Sequence, residues 1–307
     1  MSKKIPLGIV IAIFFLTVAV TVAVTVAVFL NKYNDVVEDV PKRAQAYSNL
    51  SDIDELIRSN YYADVDTDTL DDNIAKGYVE GLNDKYSYYM TADEYAEFSK
   101  QTDDSLTYAK LGTVGYMRIY AFYDNTIDKF NEAITFFNDN SISNLIIDVR
   151  DNNSINLSSA IKVIDAIVPI ATEGTKAIAT IKDANGDVKE YFSSDANSIN
   201  MSIVVITNKN TNGVAELLAC DLRDFGKAVV YGEMTAGHGT TQNVFTLDNG
   251  DVIVLSVGEI YPYISDCYNV TGVIPDTEVF TANTVDAGKE DYSEDAQITA
   301  AIAYFSE

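Results

Sequence analysis

The sequence predicts an α/β protein: a core of mixed sheet and helices, a helical region before it, and one transmembrane helix ahead of both. Three observations predict this. Residues 5–30 form an apolar run without a charge, residues 49–104 carry short amphipathic helical patterns, and from residue 105 to 307 strand-like runs alternate with helix-like ones. At 307 residues and 47% hydrophobic content the chain can bury a sizeable core.

The elements follow in order. A helix rising about 1.5 Å per residue from Ile5 to Leu30 exceeds the roughly 30 Å hydrocarbon core of a bilayer. Lys3 and Lys4 precede the run, and Asp35, Glu38 and Asp39 follow it. The positive-inside rule therefore puts residues 1–4 in the cytoplasm and the rest of the chain outside the cell membrane, on a single-pass anchor. A cleaved signal peptide has a shorter apolar region and a small-residue cleavage site, which Val-Ala-Val-Phe-Leu-Asn-Lys does not offer. The Val and Thr repeats from Thr17 to Val28 suit a strand by propensity, but lipid selects helix because the backbone must satisfy itself. Residues 31–48, polar and containing Pro41, read as a stalk.

Ser51 reads as the cap of a helix with Ile53, Leu56 and Ile57 on one face, and Leu70, Ile74, Tyr78 and Leu82 repeat that pattern. Thr91-Ala-Asp-Glu94 is a capping box ahead of Tyr95 and Phe98. In the core, Thr113 to Phe122, Leu145 to Val149, Ile203 to Thr207 and Lys227 to Tyr231 read as strands. Thr126 to Asn138, Ser158 to Ile167, Val214 to Phe225 and Glu294 to Phe305 read as helices. Asn185-Gly186 and Asn249-Gly250, each between apolar runs, signal hairpins.

Composition closes off several functions. Asp and Glu number 46 against 21 Lys and Arg, a net charge of −25, which repels phosphate backbones, so nucleic acid is not an expected partner. One histidine and two cysteines cannot build a thiolate or multi-histidine metal site. The acidic stretch Asp64 to Asp72 lacks the EF-hand glycine and terminal glutamate, and reads as a solvated helix start. No metal or cofactor is expected. An extracytoplasmic location permits a Cys220–Cys267 bridge, with two separate thiols as the alternative.

Six stretches in collinear order resemble the C-terminal processing, or tail-specific, serine peptidases of S41 type. Gly81-Leu-Asn-Asp-Lys-Tyr-Ser-Tyr-Tyr-Met-Thr-Ala-Asp-Glu-Tyr resembles the family's helical segment, Gly115-Tyr-Met-Arg-Ile its first core strand, and Leu145-Ile-Ile-Asp-Val-Arg-Asp-Asn its L-I-L-D-L-R-x-N. Gly226-Lys-Ala-Val-Val-Tyr-Gly-Glu-Met-Thr, Gly272-Val-Ile-Pro-Asp and Glu294-Asp-Ala-Gln-Ile complete the series. The resemblance implies an S41-type, ClpP/crotonase-like core and serine-type proteolysis. Residues 105–112 leave no room for the roughly 80 to 90 residues of the PDZ domain such relatives carry there.

The resemblance also implies where the chemistry should sit. The nucleophilic serine of S-A-S-A-S-E falls on Gly213 in Thr211-Asn-Gly-Val-Ala-Glu216, and the general-base lysine of F-G-K-G-x-x-Q falls on His238, with Glu216 and Gln242 kept. The N-P-G-G that follows the second strand becomes Asn152-Asn-Ser-Ile155, so Ser154, Ile155 and the Val214 N–H match the oxyanion hole. With no nucleophile at 213, the chain is expected to be a pseudoprotease whose cleft binds an extended peptide or a partner protein. Two alternatives stand beside it. One is an active peptidase rebuilt on His238 with Thr211 as nucleophile; the other is a small-ligand module like the retinoid-binding relatives of this core.

Overall fold

In the computed structural model, which describes residues 7–100, 105–169, 178–192, 198–282, 284 and 292–306, the first 60 residues lack any stop signal strong enough to end a helix. Between Gly8 and Gly77 there is no glycine, and α1 runs unbroken from Leu7–Asn60 with Pro41 inside it. The hydroxyls of Thr17, Thr21 and Thr25 donate to the carbonyls of Phe14, Thr17 and Thr21 at 2.8 Å, so these β-branched residues satisfy their polar groups within the helix. Two expectations are corrected here. Residues 31–48 are helical rather than irregular, and Ser51 lies mid-helix rather than at a cap, because one proline is weaker punctuation than a glycine and proline together. Among the described residues no helix is long and apolar enough to cross a membrane. Ile5, Pro6 and several side chains of the run 5–30 lie outside the described residues.

By internal packing the chain divides into Met1–Asp71 and Asp72–Glu307. The second unit holds the sheets. Strands β2 (Leu106–Leu111), β3 (Val114–Ile119), β4 (Asn144–Asp148), β7 (Ser202–Thr207), β8 (Ala228–Gly232) and β11 (Thr277–Glu278) form one sheet in the order β11-β8-β7-β4-β3-β2. All its neighbours run parallel except β2 against β3. Strands β3, β4 and β7 are buried on both faces, which is why β4 and β7 read as continuous apolar runs at their centres. Met117, Leu145, Ile147, Val205 and Val230 face the main core with helices α4 (Thr126–Asp139), α5 (Leu157–Ile167) and α6 (Val214–Asp224). The alternate residues Tyr116, Ile146, Val204 and Ile206 pack with Ile298 and Ala301 of α7 (Ala296–Tyr304) on the other face.

A second, antiparallel sheet is centred on the long β10 (Val252–Tyr261). It pairs with β1 (Tyr88–Met90), with β5 (Ala179–Lys182) and with β9 (Thr240–Thr246), and β5 pairs with β6 (Val188–Phe192). Both predicted hairpins form, β5–β6 around Gly186 and β9–β10 around Gly250. The capping box at Thr91 also forms, opening α3 (Ala92–Phe98). The sequence did not predict β1, β2 or β11, which are short or edge strands with little alternation. α7 is fixed by a buried network: Arg150 binds Asp148 at 2.5 Å, Asp295 at 2.8 Å and Gln297 at 2.9 Å. Cys220 and Cys267 are free thiols, the first buried and the second partly so.

Candidate functional site

Parallel strands deliver their following loops to one edge of a sheet, and the loops after β4, β7 and β8 carry the residues singled out above. Glu216, in the first turn of α6, binds two of these loops together. Its carboxylate is wholly buried and accepts the backbone N–H groups of Gly213 at 3.0 Å, Gly237 at 2.8 Å and His238 at 2.8 Å, together with the Thr235 hydroxyl. Burial pushes its pKa above the ordinary carboxylate range, against the pull of those hydrogen bonds. Glu216 thus fixes the backbone at the two positions where the resemblance places nucleophile and base.

His238 is 3% exposed. Its Nδ1 lies 2.6 Å from Asn212 Oδ1, its Nε2 lies 2.6 Å from Gln242 Nε2, and its ring stacks on Tyr86 with centroids 3.3 Å apart and planes within 5°. One protonation state satisfies all of this: a neutral imidazole whose Nδ1–H donates to Asn212 and whose Nε2 accepts from the Gln242 amide. Burial lowers the imidazole pKa to about 4, with the Asp84 charge pulling the other way, so the ring is neutral near pH 7. The lone pair that a general base would use is already engaged. Gln242 also donates to Thr240 Oγ1 at 2.9 Å and Ser256 Oγ at 3.2 Å.

Gly213 has φ 63° and ψ −125°, a conformation that disfavours a side chain. A Cβ built there would meet the Ser154 carbonyl oxygen at 2.5 Å, so serine does not fit the chain as it stands. That same carbonyl accepts the Val214 N–H at 3.2 Å. The expected oxyanion donor is therefore occupied by the chain's own backbone. The segment from Asn152 to Ile155 is held in this position at two further points. Asn152 Oδ1 accepts the Ser154 N–H at 3.0 Å and Ser154 Oγ accepts the Phe122 N–H at 2.8 Å. Ile155 lines the adjoining cleft.

Thr211, the alternative nucleophile, is fully buried, and its hydroxyl donates to the Val149 carbonyl at 3.0 Å while accepting the Asn208 N–H at 3.0 Å. His238 is not among its partners. The alternative pairing of Thr211 with His238 thus has no contact behind it, and the hydroxyl serves to close the turn after β7. Three residues were missed. Asn212 and Tyr86 both touch the imidazole, and the buried Tyr268 hydroxyl donates to the Gly213 carbonyl at 3.1 Å. Tyr86 and Asn212 stand inside the quoted motifs, so position relative to the motif was the available signal. Among the described residues no cluster of His, Cys, Asp and Glu could hold a metal ion.

Beside this constellation opens a cleft of about 410 Å³, reached by His238, Asn212 and Ser154 and walled by Tyr88, Tyr95, Phe98 and Val244. β9 borders it through Val244 and pairs, among the described residues, with β10 alone.

Residues 113–279 match the pattern of Peptidase family S41. The chain is 27% identical over 168 residues to the chloroplastic C-terminal processing peptidase of Tetradesmus obliquus, covering 54% of this chain and 35% of that protein. It is 32% identical over 145 residues to the carboxy-terminal processing protease CtpB of Bacillus subtilis (strain 168), covering 47% of this chain and 29% of that one. It thus spans about a third of the length of these relatives. Among solved structures, a photosystem II D1 C-terminal processing protease superposes with a TM-score of 0.52 at 25% identity, over 59% of this chain and 50% of that one. A lipoprotein from Streptococcus agalactiae gives 0.59 at 19% identity, over 70% and 79%, a likeness of fold. With residues 113–279, more than half of the chain, matching that pattern, this protein belongs to peptidase family S41.

Proposed function

We propose that this S41 member is a pseudoprotease that binds an extended peptide segment of a partner protein in its cleft. The observation that carries the reading is the Ser154 carbonyl on the Val214 N–H, seated against a glycine where a nucleophile would stand. A serine-type hydrolase needs both an attacking side-chain atom and a free donor for the developing oxyanion. Loss of the serine alone lowers subtilisin turnover on the order of a millionfold, on a different fold but with the same dependence. Peptide capture needs neither group. It needs an unpaired strand edge beside a pocket, and β9, which among the described residues pairs with β10 alone, supplies one beside the aromatic cleft.

The reading includes a single-pass anchor in the cell membrane, with the binding unit outside. It rests on the uncharged run 5–30 and the charge asymmetry around it. Protease protection of the C-terminus in intact cells, lost on permeabilisation, is the result that would reverse this orientation.

The test of silence is release of peptides from casein by the full chain in detergent, followed by mass spectrometry, beside His238→Ala. No release from either protein is expected. Release by the native chain that disappears in His238→Ala would establish a rebuilt peptidase and overturn the proposal.

A further inference from the structure

We infer that the cleft selects an internal, uncharged peptide segment bearing an aromatic or large aliphatic side chain, and that it does not read a free carboxyl terminus. This rests on the peptide-binding reading above and adds the chemistry of the peptide.

The walls of the cleft are the first argument. Six aromatic rings, those of Tyr86, Tyr88, Tyr95, Phe98, Phe122 and Tyr123, contribute to its lining, and the polar groups among them are uncharged, chiefly the amides of Asn153, Asn156 and Asn212. Among the described lining residues there is no Asp, Glu, Lys or Arg, in a chain whose net charge is −25. His238, the one titratable base in the lining, is held neutral by its burial between Asn212 and Gln242. Lys85 lies with Nζ 4.6 Å from the Tyr86 ring centroid and is not part of the lining.

A carboxylate could still be drawn to the N-terminus of α6, where backbone N–H groups and the helix dipole favour anions. Here every one of those donors is spent. Gly213 N–H is taken by Glu216, Val214 N–H by the Ser154 carbonyl, Ala215 N–H by the Asn212 carbonyl at 3.3 Å, and Glu216 N–H by the Gly213 carbonyl at 3.1 Å. The Glu216 carboxylate already occupies the place of the anion. A peptide's terminal carboxylate would therefore lose its water without gaining a cation or a free N–H, inside an acidic protein. An internal peptide bond, by contrast, brings its own neutral donor and acceptor to the edge of β9, and an aromatic or aliphatic side chain exchanges water for the ring-lined wall.

The test uses two displayed libraries of random dodecapeptides panned on the full chain in detergent, one fused through its C-terminus and one with the C-terminus free. Enriched sequences are then synthesised as amides and as acids and titrated by fluorescence anisotropy. The fused library is expected to yield binders rich in aromatic and aliphatic residues and depleted in Asp and Glu. The acid form of a peptide whose terminus abuts the apolar residues should bind about tenfold more weakly than its amide. Val244→Lys, which adds a cation at the cleft, should narrow that difference. Enrichment from the free-terminus library alone, or acids binding as tightly as amides, overturns this inference while leaving peptide binding intact. No enrichment from either library overturns both.

Discussion

Acidification should destabilise the protein through His238, and the size of the effect can be worked from its surroundings. The imidazole is 3% exposed, sandwiched on Tyr86, and lowered by burial from 6.5 to about 4. Because the folded pKa lies below the unfolded one, the neutral ring's contribution is complete above pH 6.5 and is lost as the pH falls toward 4. Over that interval the unfolded chain binds the proton and the native one refuses it. Between pH 7 and pH 4 the lost stability amounts to about 3 kcal/mol. Glu216 and Asp221 work in the opposite direction, since burial raises both pKa values and their penalty is relieved as they protonate. The single curve therefore mixes signs, and the useful quantity is a difference. Urea unfolding of the native chain and of His238→Asn, followed by circular dichroism at several pH values, cancels the shared carboxylates. The native protein should lose about 3 kcal/mol relative to the variant across this range. A difference constant to within about 1 kcal/mol would refute the reasoning, by showing that protonated His238 reaches water or a carboxylate without cost.

Three further outcomes are expected. Gly213→Ser combined with His238→Lys should remain inactive on casein and lose about 2 kcal/mol or more, because the new Cβ meets the Ser154 carbonyl at 2.5 Å in a positive-φ turn; measurable turnover would show that the loop opens freely. Val270 holds φ 69° although it is β-branched and 86% exposed, so Val270→Asn should raise stability by about 1 kcal/mol in the same urea assay; an unchanged midpoint would show the strain to be absent. Arg150→Met should cost about 3 to 5 kcal/mol by leaving Asp148 and Asp295 buried without their cation; a loss below about 1 kcal/mol would mean that water enters the network.

Much of the α/β core was legible because its signals are local. Leu145, Ile146 and Ile147 follow one another without a polar residue since both faces of β4 are covered, and Asn185-Gly186 turns β5 into β6 with the glycine at φ 81°. Where signals depended on a missing neighbour, the reading failed. Pro41 reads as a boundary when taken alone, yet the residues on both sides continue the helix. β2 and β11 are strands because β3 and β8 present free edges to them, which no short window reveals. The motif positions at the site were equally legible: Gly213, Glu216, His238 and Gln242 do come together. What the sequence could not show was the Ser154 carbonyl on Val214, a contact across 60 residues made by backbone atoms that carry no side-chain signature.

That contact ties the departures from the family pattern into one physical change. Any side chain at 213 would hold the Ser154 carbonyl away, so the glycine that removes the nucleophile is also what lets the loop close on Val214 N–H. The N-P-G-G sequence expected after β4 has no counterpart to Ser154 Oγ, which here accepts the Phe122 N–H and keeps the loop in that position. With the hole closed, a lysine at 238 would bury an ammonium group between the uncharged amides of Asn212 and Gln242, where the Asp84 charge that acts on position 238 does not offset the burial that already keeps His238 neutral. A neutral histidine fits the same space, uses one nitrogen for each amide and lays its ring on Tyr86. Each replacement thus removes the cost that the previous one created, and restoring any one alone should lower stability before it restores turnover.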